Sequence, residues 1–275
     1  MLFRSKGLKA DREAQLQVII DGSDPVFAGA VRGYVNGFVE AYNSRLIASF
    51  LNRQGLAPTN PPVDGRVRVW FNEDLESRNF IIPGMMAIII MIVGAMLTAL
   101  VIAREFEGGT METIKSLPVT AGELLLGKAI PYFFITLINV LVAMLLGQVL
   151  FGIALKGSFW LMLAGTSLFL VCALALGLLI STAAKSQLMA NQAAVMITYL
   201  PSLLLSNFVF PIINMPVVLQ WFTYLVPARY YIDLLAGVYL RNTGLDYLWP
   251  DMAVLGGMGV LMIVLNFIWL KKEGL

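Results

Sequence analysis

Residues 103–128 read AREFEGGTMETIKSLPVTAGELLLGK. They form the one long charged interruption between very apolar stretches, and their reading decides how the chain is laid out. Met111, Ile114 and Leu117 recur three apart behind Gly108 and Gly109, which predicts a short amphipathic helix capped by Thr110. Pro118 ends it, because proline has no amide to donate and its ring clashes with the preceding turn. Thr120 and Glu123 then make the Thr-x-x-Glu pattern of a capping box, which restarts a helix running into the next apolar segment. A short exposed helix with an apolar stripe suits insertion into a groove on another protein. An amphipathic helix resting on lipid headgroups fits the same spacing equally well.

On either side the chain is membrane-like. It has 275 residues, 59% hydrophobic and 13% charged, with a mean hydropathy of +0.80. A soluble domain is about 45–50% apolar and about 25% charged. Segments 81–103 and 129–155 are uncharged and long enough to cross, since about 20 apolar residues span a hydrocarbon core of roughly 30 Å. Further along, 159–183, 193–210 and 252–270 read the same way, which predicts five visible spans. Between the last two, 211–245 carries Pro211, Asn214, Pro216 and Pro227. Such breaks at membrane depth persist only where protein buries them, so this segment reads as two short re-entrant or interfacial helices. Trp221, Tyr224, Tyr230 and Tyr231 suit a membrane–water boundary, and Arg229 and Asp233 are spaced to pair across one helical turn.

Residues 1–80 have a soluble composition. A strand over 15–20, a helix opened by Asp24-Pro25 and a strand around Val67, Val69 and Phe71 predict a strand–helix–strand fragment. Phe27, Val31, Tyr34, Phe38 and Tyr42 mark the apolar face of that helix. Pro58, Pro61, Pro62 and Asp64-Gly65 predict the loop after it. The expected fold is therefore an α-helical polytopic membrane protein over 81–275 with a partial extracytoplasmic α/β domain at 1–80.

Orientation follows from basic residues in the short loops. Arg104, Lys115, Lys128, Lys185, Lys271 and Lys272 fall on one side, against Lys156, Arg229 and Arg241 on the other. The positive-inside rule makes the first side cytoplasmic, which puts the C-terminus inside and residues 1–80 outside. An external N-terminal domain then calls for a further span before Met1.

Several chemistries are excluded. The chain has no histidine, its single cysteine, Cys172, lies in an apolar run, and no metal site is expected. No phosphate loop of the form G-x-x-x-x-G-K-[ST] occurs, and the expected spans hold essentially no acidic residue of the kind that couples transport to protons or ions. Energy should therefore come from another subunit. Asn191, Thr198, Ser202 and Ser206 form one polar stripe at helical spacing, readable as a pathway surface or as helix packing, with packing favoured.

Arg104-Glu105-Phe106-Glu107-Gly108-Gly109-Thr110-Met111-Glu112, followed by Leu117-Pro118, Glu123 and Gly127-Lys128, resembles the signature of the type-2 ATP-binding-cassette permeases. Phe80–Gly84 and the run Leu205-Ser206-Asn207-Phe208-Val209-Phe210-Pro211 with Met215-Pro216 and Pro227-Ala228-Arg229-Tyr230 are similar to the same family, although Asn207 stands where glycine is usual. Val18 to Asp24 resembles the external domain of its adaptor-linked exporter subgroup. The resemblance implies a six-span permease subunit in the bacterial inner membrane, seen here without its first span. It implies a second permease subunit, a cytoplasmic ATPase that binds ATP and Mg and docks on the coupling loop 104–128, and a periplasmic adaptor. It implies no cofactor, nucleic acid or catalysis for this chain. Coupling would fall to Arg104, Glu105, Glu107, Gly109, Thr110, Met111, Glu112, Ile114, Leu117 and Pro118, and the external region to Pro211, Pro216, Pro227, Arg229 and Asp233. A secondary transporter or channel subunit is the alternative, and it would need an inverted repeat or an embedded charge.

Overall fold

Two strands and one helix make up the first of two units. The computed structural model describes residues 14–22, 25–54, 63–70, 78–153 and 155–274, and it divides at residue 80. β1 (Ala14–Asp21) and β2 (Val63–Trp70) pair in parallel, with Val18 opposite Val67 and Ile20 opposite Val69. A parallel pair needs a long crossover, and α1 (Pro25–Gln54) supplies it. The strand–helix–strand reading holds, with two differences. Asp64 and Gly65, expected in a turn, lie inside β2 opposite Gln15 and Leu16. On α1 the buried side carries Ala28 and Asn43 with the half-buried Val31, Val35 and Val39, while Phe27, Tyr34 and Phe38 are exposed. A two-stranded sheet offers a narrow face, which the small and β-branched stripe covers, and Phe38 stacks instead on Tyr42 at 6.2 Å. The expected cap at Asp24, the prolines of the loop, and Phe71 lie outside the described residues.

The second unit is helical throughout. Its helices are α2 (Arg78–Glu107), α3 (Thr110–Ser116), α4 (Ala121–Phe151), α5 (Phe159–Ala184), α6 (Gln187–Leu204), α7 (Val217–Thr223), α8 (Pro227–Ala236) and α9 (Leu245–Lys272). Lipid gives apolar helices no hydrophobic reason to associate, so close packing and interhelical hydrogen bonds must hold them. α5 is built for this and sits at the centre. A Cβ on Gly177 would come 2.1 Å from Thr98 Oγ1 and 2.3 Å from the Ala95 carbonyl oxygen, so only glycine lets α2 approach. Thr98 Oγ1 donates to the Leu174 carbonyl at 2.9 Å, and Ser181 Oγ accepts from the amides of Ile102 and Ala103 at 2.9 and 2.8 Å. Toward α9, Cys172 Sγ donates to the Leu255 carbonyl at 3.1 Å and Asn266 Nδ2 to the Ala175 carbonyl at 2.8 Å.

Among the described residues four helices, α2, α4, α5 and α9, are long and apolar enough to span a membrane, where five spans were expected. The exception is α6. Its 18 residues reach about 27 Å at 1.5 Å per residue, and they include Gln187, Asn191, Gln192 and Pro201. It stops at Leu204 rather than continuing to 210, because the backbone turns through Asn207 in the left-handed region at φ 68°. α4 starts earlier than the apolar run, at its capping box, and ends at Gly152 with φ 67°. α9 starts earlier too and takes in Pro250 and Asp251.

The proline-rich region is two short helices, as the sequence suggests. A 3₁₀ turn over Ile212–Asn214 leads to α7, which follows Pro216, and α8 opens with Pro227 at its first turn. A π-helical turn, Gly237–Arg241, then joins α8 to α9 through Asn242 in the left-handed region. α8 enters the bundle. Tyr231, expected at the membrane boundary, is fully buried and stacks on Phe169 at 4.1 Å, with its hydroxyl 2.9 Å from Thr166 Oγ1.

Candidate functional site

The charged segment folds back on itself at the end of the bundle that carries the basic residues. α2 ends at Glu107, and Gly109 turns the chain at φ 71°, a conformation glycine adopts without strain. Thr110 does not cap α3, contrary to its spacing: Gly109 occupies the cap position. The Thr110 hydroxyl instead donates to the Glu105 carboxylate and, at 3.3 Å, to the Glu105 carbonyl. Glu105 Oε1 also pairs with Lys128 Nζ at 2.7 Å, which ties the two ends of the segment together. The capping box forms as read. Thr120 Oγ1 accepts from the Glu123 amide at 3.3 Å, and Glu123 Oε2 accepts from the Thr120 amide at 2.8 Å.

The apolar stripe of α3 faces the bundle, the reverse of the docking surface that its periodicity suggests. Met111 is 2% exposed and packs with Val101, Ile102, Ala121, Leu124, Leu125, Leu178 and Leu270. Ile114 is half-buried against the same cluster. Only Leu117 of the three stays outside, 52% exposed. A seven-residue helix has too little cohesion of its own, so burial of Met111 and Ile114 is what holds it in place. Its outward face is then Glu112, Thr113, Ser116 and Leu117, with Lys115 and Pro118 also exposed.

Neighbouring segments stitch in. Glu107 Oε2 accepts from the Gln187 amide at 2.8 Å, and Arg104 Nε donates to Gln187 Oε1 at 3.5 Å. Phe106 has two cations near its ring, with Lys115 Nζ 5.9 Å and Lys185 Nζ 5.2 Å from its centre. Lys185 also pairs with Glu273 at 2.7 Å. The segment is thereby connected to the start of α6 and to the chain's C-terminal end. Sequence reading missed Phe106, Gln187 and Glu273 as members of this site. No local spacing links residues that far apart, although the lone Lys185 between two apolar segments was a hint.

Thr198, Ser202 and Ser206 are buried, on the same side as Ala190 and Ala194, which pack with Ala99, Ala103 and Ile180. Thr198 Oγ1 donates to the Ala194 carbonyl at 2.6 Å. Asn191 Oδ1 and Ser206 Oγ are buried without a hydrogen-bond partner among the described residues. Thr198, Ser202 and Ser206 are thus turned inward, whereas Asn191 is half-buried.

At the opposite end Arg229 does not pair with Asp233. Its guanidinium lies 4.2 Å from the Tyr224 ring centre and donates to Thr223 Oγ1. Asp233 pairs with Arg241 at 3.3 Å and lies near Asp251, a residue the sequence reading left outside the last span. Burial pushes the nearby Tyr230 phenol up, partly opposed by the Arg229 charge. Pro211, Pro216 and Pro227 each stand at the start of a short helical piece.

Residues 2–268 match the model of the ABC-2 family transporter protein. The chain is 40% identical over 271 residues to the probable multidrug ABC transporter permease YbhS of Escherichia coli (strain K12), a match covering 98% of this chain and 70% of that protein. It is 30% identical over 248 residues to the probable multidrug ABC transporter permease YbhR of the same strain, covering 90% of this chain and 65% of that protein. Against the inner membrane transport permease YhhJ it is 24% identical over 266 residues. With its apolar helices and the charged segment between α2 and α4, the chain belongs to the ABC-2 transporter family, as a permease subunit of an ABC transporter.

Proposed function

We propose that the chain is the membrane half of an exporter, and that a cytoplasmic ATPase docks on the outward face of α3. The observation that carries this is the way α3 is mounted. Met111 and Ile114 are sunk into the bundle, the Glu105–Lys128 pair and the capping box fix both ends, and Glu112, Thr113, Ser116 and Leu117 are left outward. A segment fixed in this way moves with the ends of α2 and α4, so force applied to it reaches the spans. ATP and Mg belong to the docked partner, and this chain binds neither. The basic end is then cytoplasmic, and a second permease subunit completes the pathway. The N-terminal unit lies outside, where a periplasmic adaptor is its proposed partner.

The test is co-purification of the permease with its ATPase. Leu117→Asp and Glu112→Arg, both outward, should release the ATPase while the permease stays folded. Undiminished ATPase binding in the double variant would refute the docking face. Among the described residues, the secondary-transporter alternative would draw on Asp233 and Asp251, and Asp233 already pairs with Arg241.

A further inference from the structure

At the basic end a groove of about 220 Å³ runs along α2 between α4 and α6, lined by Met96, Leu97, Leu100, Arg104, Tyr132 and Asn191. Its lining is apolar over Met96, Leu97 and Leu100 and carries one cation, the exposed Arg104. Among the described residues, Arg104 has no carboxylate within ion-pair distance. Its one hydrogen bond, 3.5 Å to Gln187, is long and to a neutral group. The nearby carboxylates are engaged elsewhere, Glu105 with Lys128 and Glu107 with the Gln187 amide. Leu97 and Arg104 are two helical turns apart, so about 10 Å separates the apolar floor from the charge. That is the layout of a phospholipid, with an acyl chain below and a phosphate at the interface, where a long basic side chain reaches out of the apolar layer.

We propose that this groove seats one anionic phospholipid of the leaflet at the basic end. Its phosphate meets the Arg104 guanidinium, and an acyl chain lies along Met96, Leu97 and Leu100. The match rests on charge complementarity between the headgroup and a guanidinium without an ion pair among the described residues, and it requires only that the chain is embedded in a membrane. It is therefore independent of where the ATPase docks.

The experiment is native mass spectrometry of the purified full chain in detergent. Phosphatidylglycerol or phosphatidylcholine with identical acyl chains is added, and inorganic phosphate is added in a separate arm. One basic residue at a membrane surface favours an anionic lipid roughly fivefold. The wild-type protein should retain phosphatidylglycerol over phosphatidylcholine by about that factor. Arg104→Gln should abolish the preference without abolishing retention, and Leu97→Trp, which fills the groove, should reduce retention of both lipids. Leu100→Ser, a milder change, should weaken both if Leu97→Trp fails to fold. Equal retention of the two lipids by the wild-type protein, or a preference that survives Arg104→Gln, would overturn the proposal. Displacement of phosphatidylglycerol by inorganic phosphate would also overturn it, since the site would then take a soluble anion.

Discussion

Glu105 Oε1 and Lys128 Nζ meet at 2.7 Å across 22 intervening residues, so the charged segment begins and ends at one point on the bundle. Neither side chain is fully buried, and such pairs contribute below about 1 kcal/mol to stability. The importance of this one is geometric, because it fixes the spacing of α2 and α4 beneath α3. Glu105→Gln and Lys128→Met should each leave expression and melting temperature nearly unchanged while lowering permease-stimulated ATP hydrolysis in the assembled transporter. The exchange Glu105→Lys with Lys128→Glu should restore part of it, which a double-mutant cycle measures directly.

Met111 and Leu117 separate support from docking. Met111→Ala empties a site in a packed cluster and should cost about 2–5 kcal/mol, read as a large fall in melting temperature. Leu117→Ala lies on an exposed face and should change stability by less than about 0.5 kcal/mol. If Met111→Ala proves harmless to stability, the inward placement of the stripe is wrong.

The capping box sets where α4 starts. Thr120→Ala should cost about 1 kcal/mol and speed amide exchange over the first turn of α4, whereas Thr120→Ser should behave as wild type. Equal exchange in both variants would contradict the cap.

Gly84 on α2 and Phe208 in the bend after α6 interlock. A Cβ on Gly84 would stand 2.2 Å from the Phe208 ring. Gly84→Ala should destabilise the protein by about 1–3 kcal/mol through overpacking. Phe208→Leu in the same chain should recover part of that loss, measured as melting temperature.

Asn207 holds a positive φ and its Oδ1 accepts from the Ile212 amide at 2.9 Å. Asparagine is among the few residues that tolerate this conformation, which accounts for its presence where glycine is usual in the resembling motif. Asn207→Gly should be nearly neutral and Asn207→Val should cost about 1–2 kcal/mol. A neutral valine would show that the turn is not fixed.

What the sequence made legible divides by range. The capping box at Thr120 and Glu123, the strand–helix–strand fragment and the two short proline-led helices were all readable, because each depends on residues a few positions apart. The orientation of α3 was not. Spacing puts Met111, Ile114 and Leu117 on one side of a helix, but whether that side meets this bundle or another protein depends on Leu178 and Leu270, far along the chain. The same holds for Arg229. Its i,i+4 partner Asp233 is available, yet the π-helical turn brings Arg241 to that carboxylate instead. Tyr231 shows the limit of composition, since a tyrosine suited to an interface is equally suited to a buried stack once Thr166 takes its hydroxyl.

The central claim is that the outward face of α3 meets the ATPase. Its most direct test is a photo-reactive amino acid placed at Leu117, at Thr113 and, as a comparison, at the exposed Trp160 near the start of α5. The whole transporter is irradiated in its membrane. Adducts with the ATPase subunit from 117 and 113, and none from 160, are the predicted result. Adducts from 160, or none from 117 and 113 in a complex that hydrolyses ATP, would contradict it.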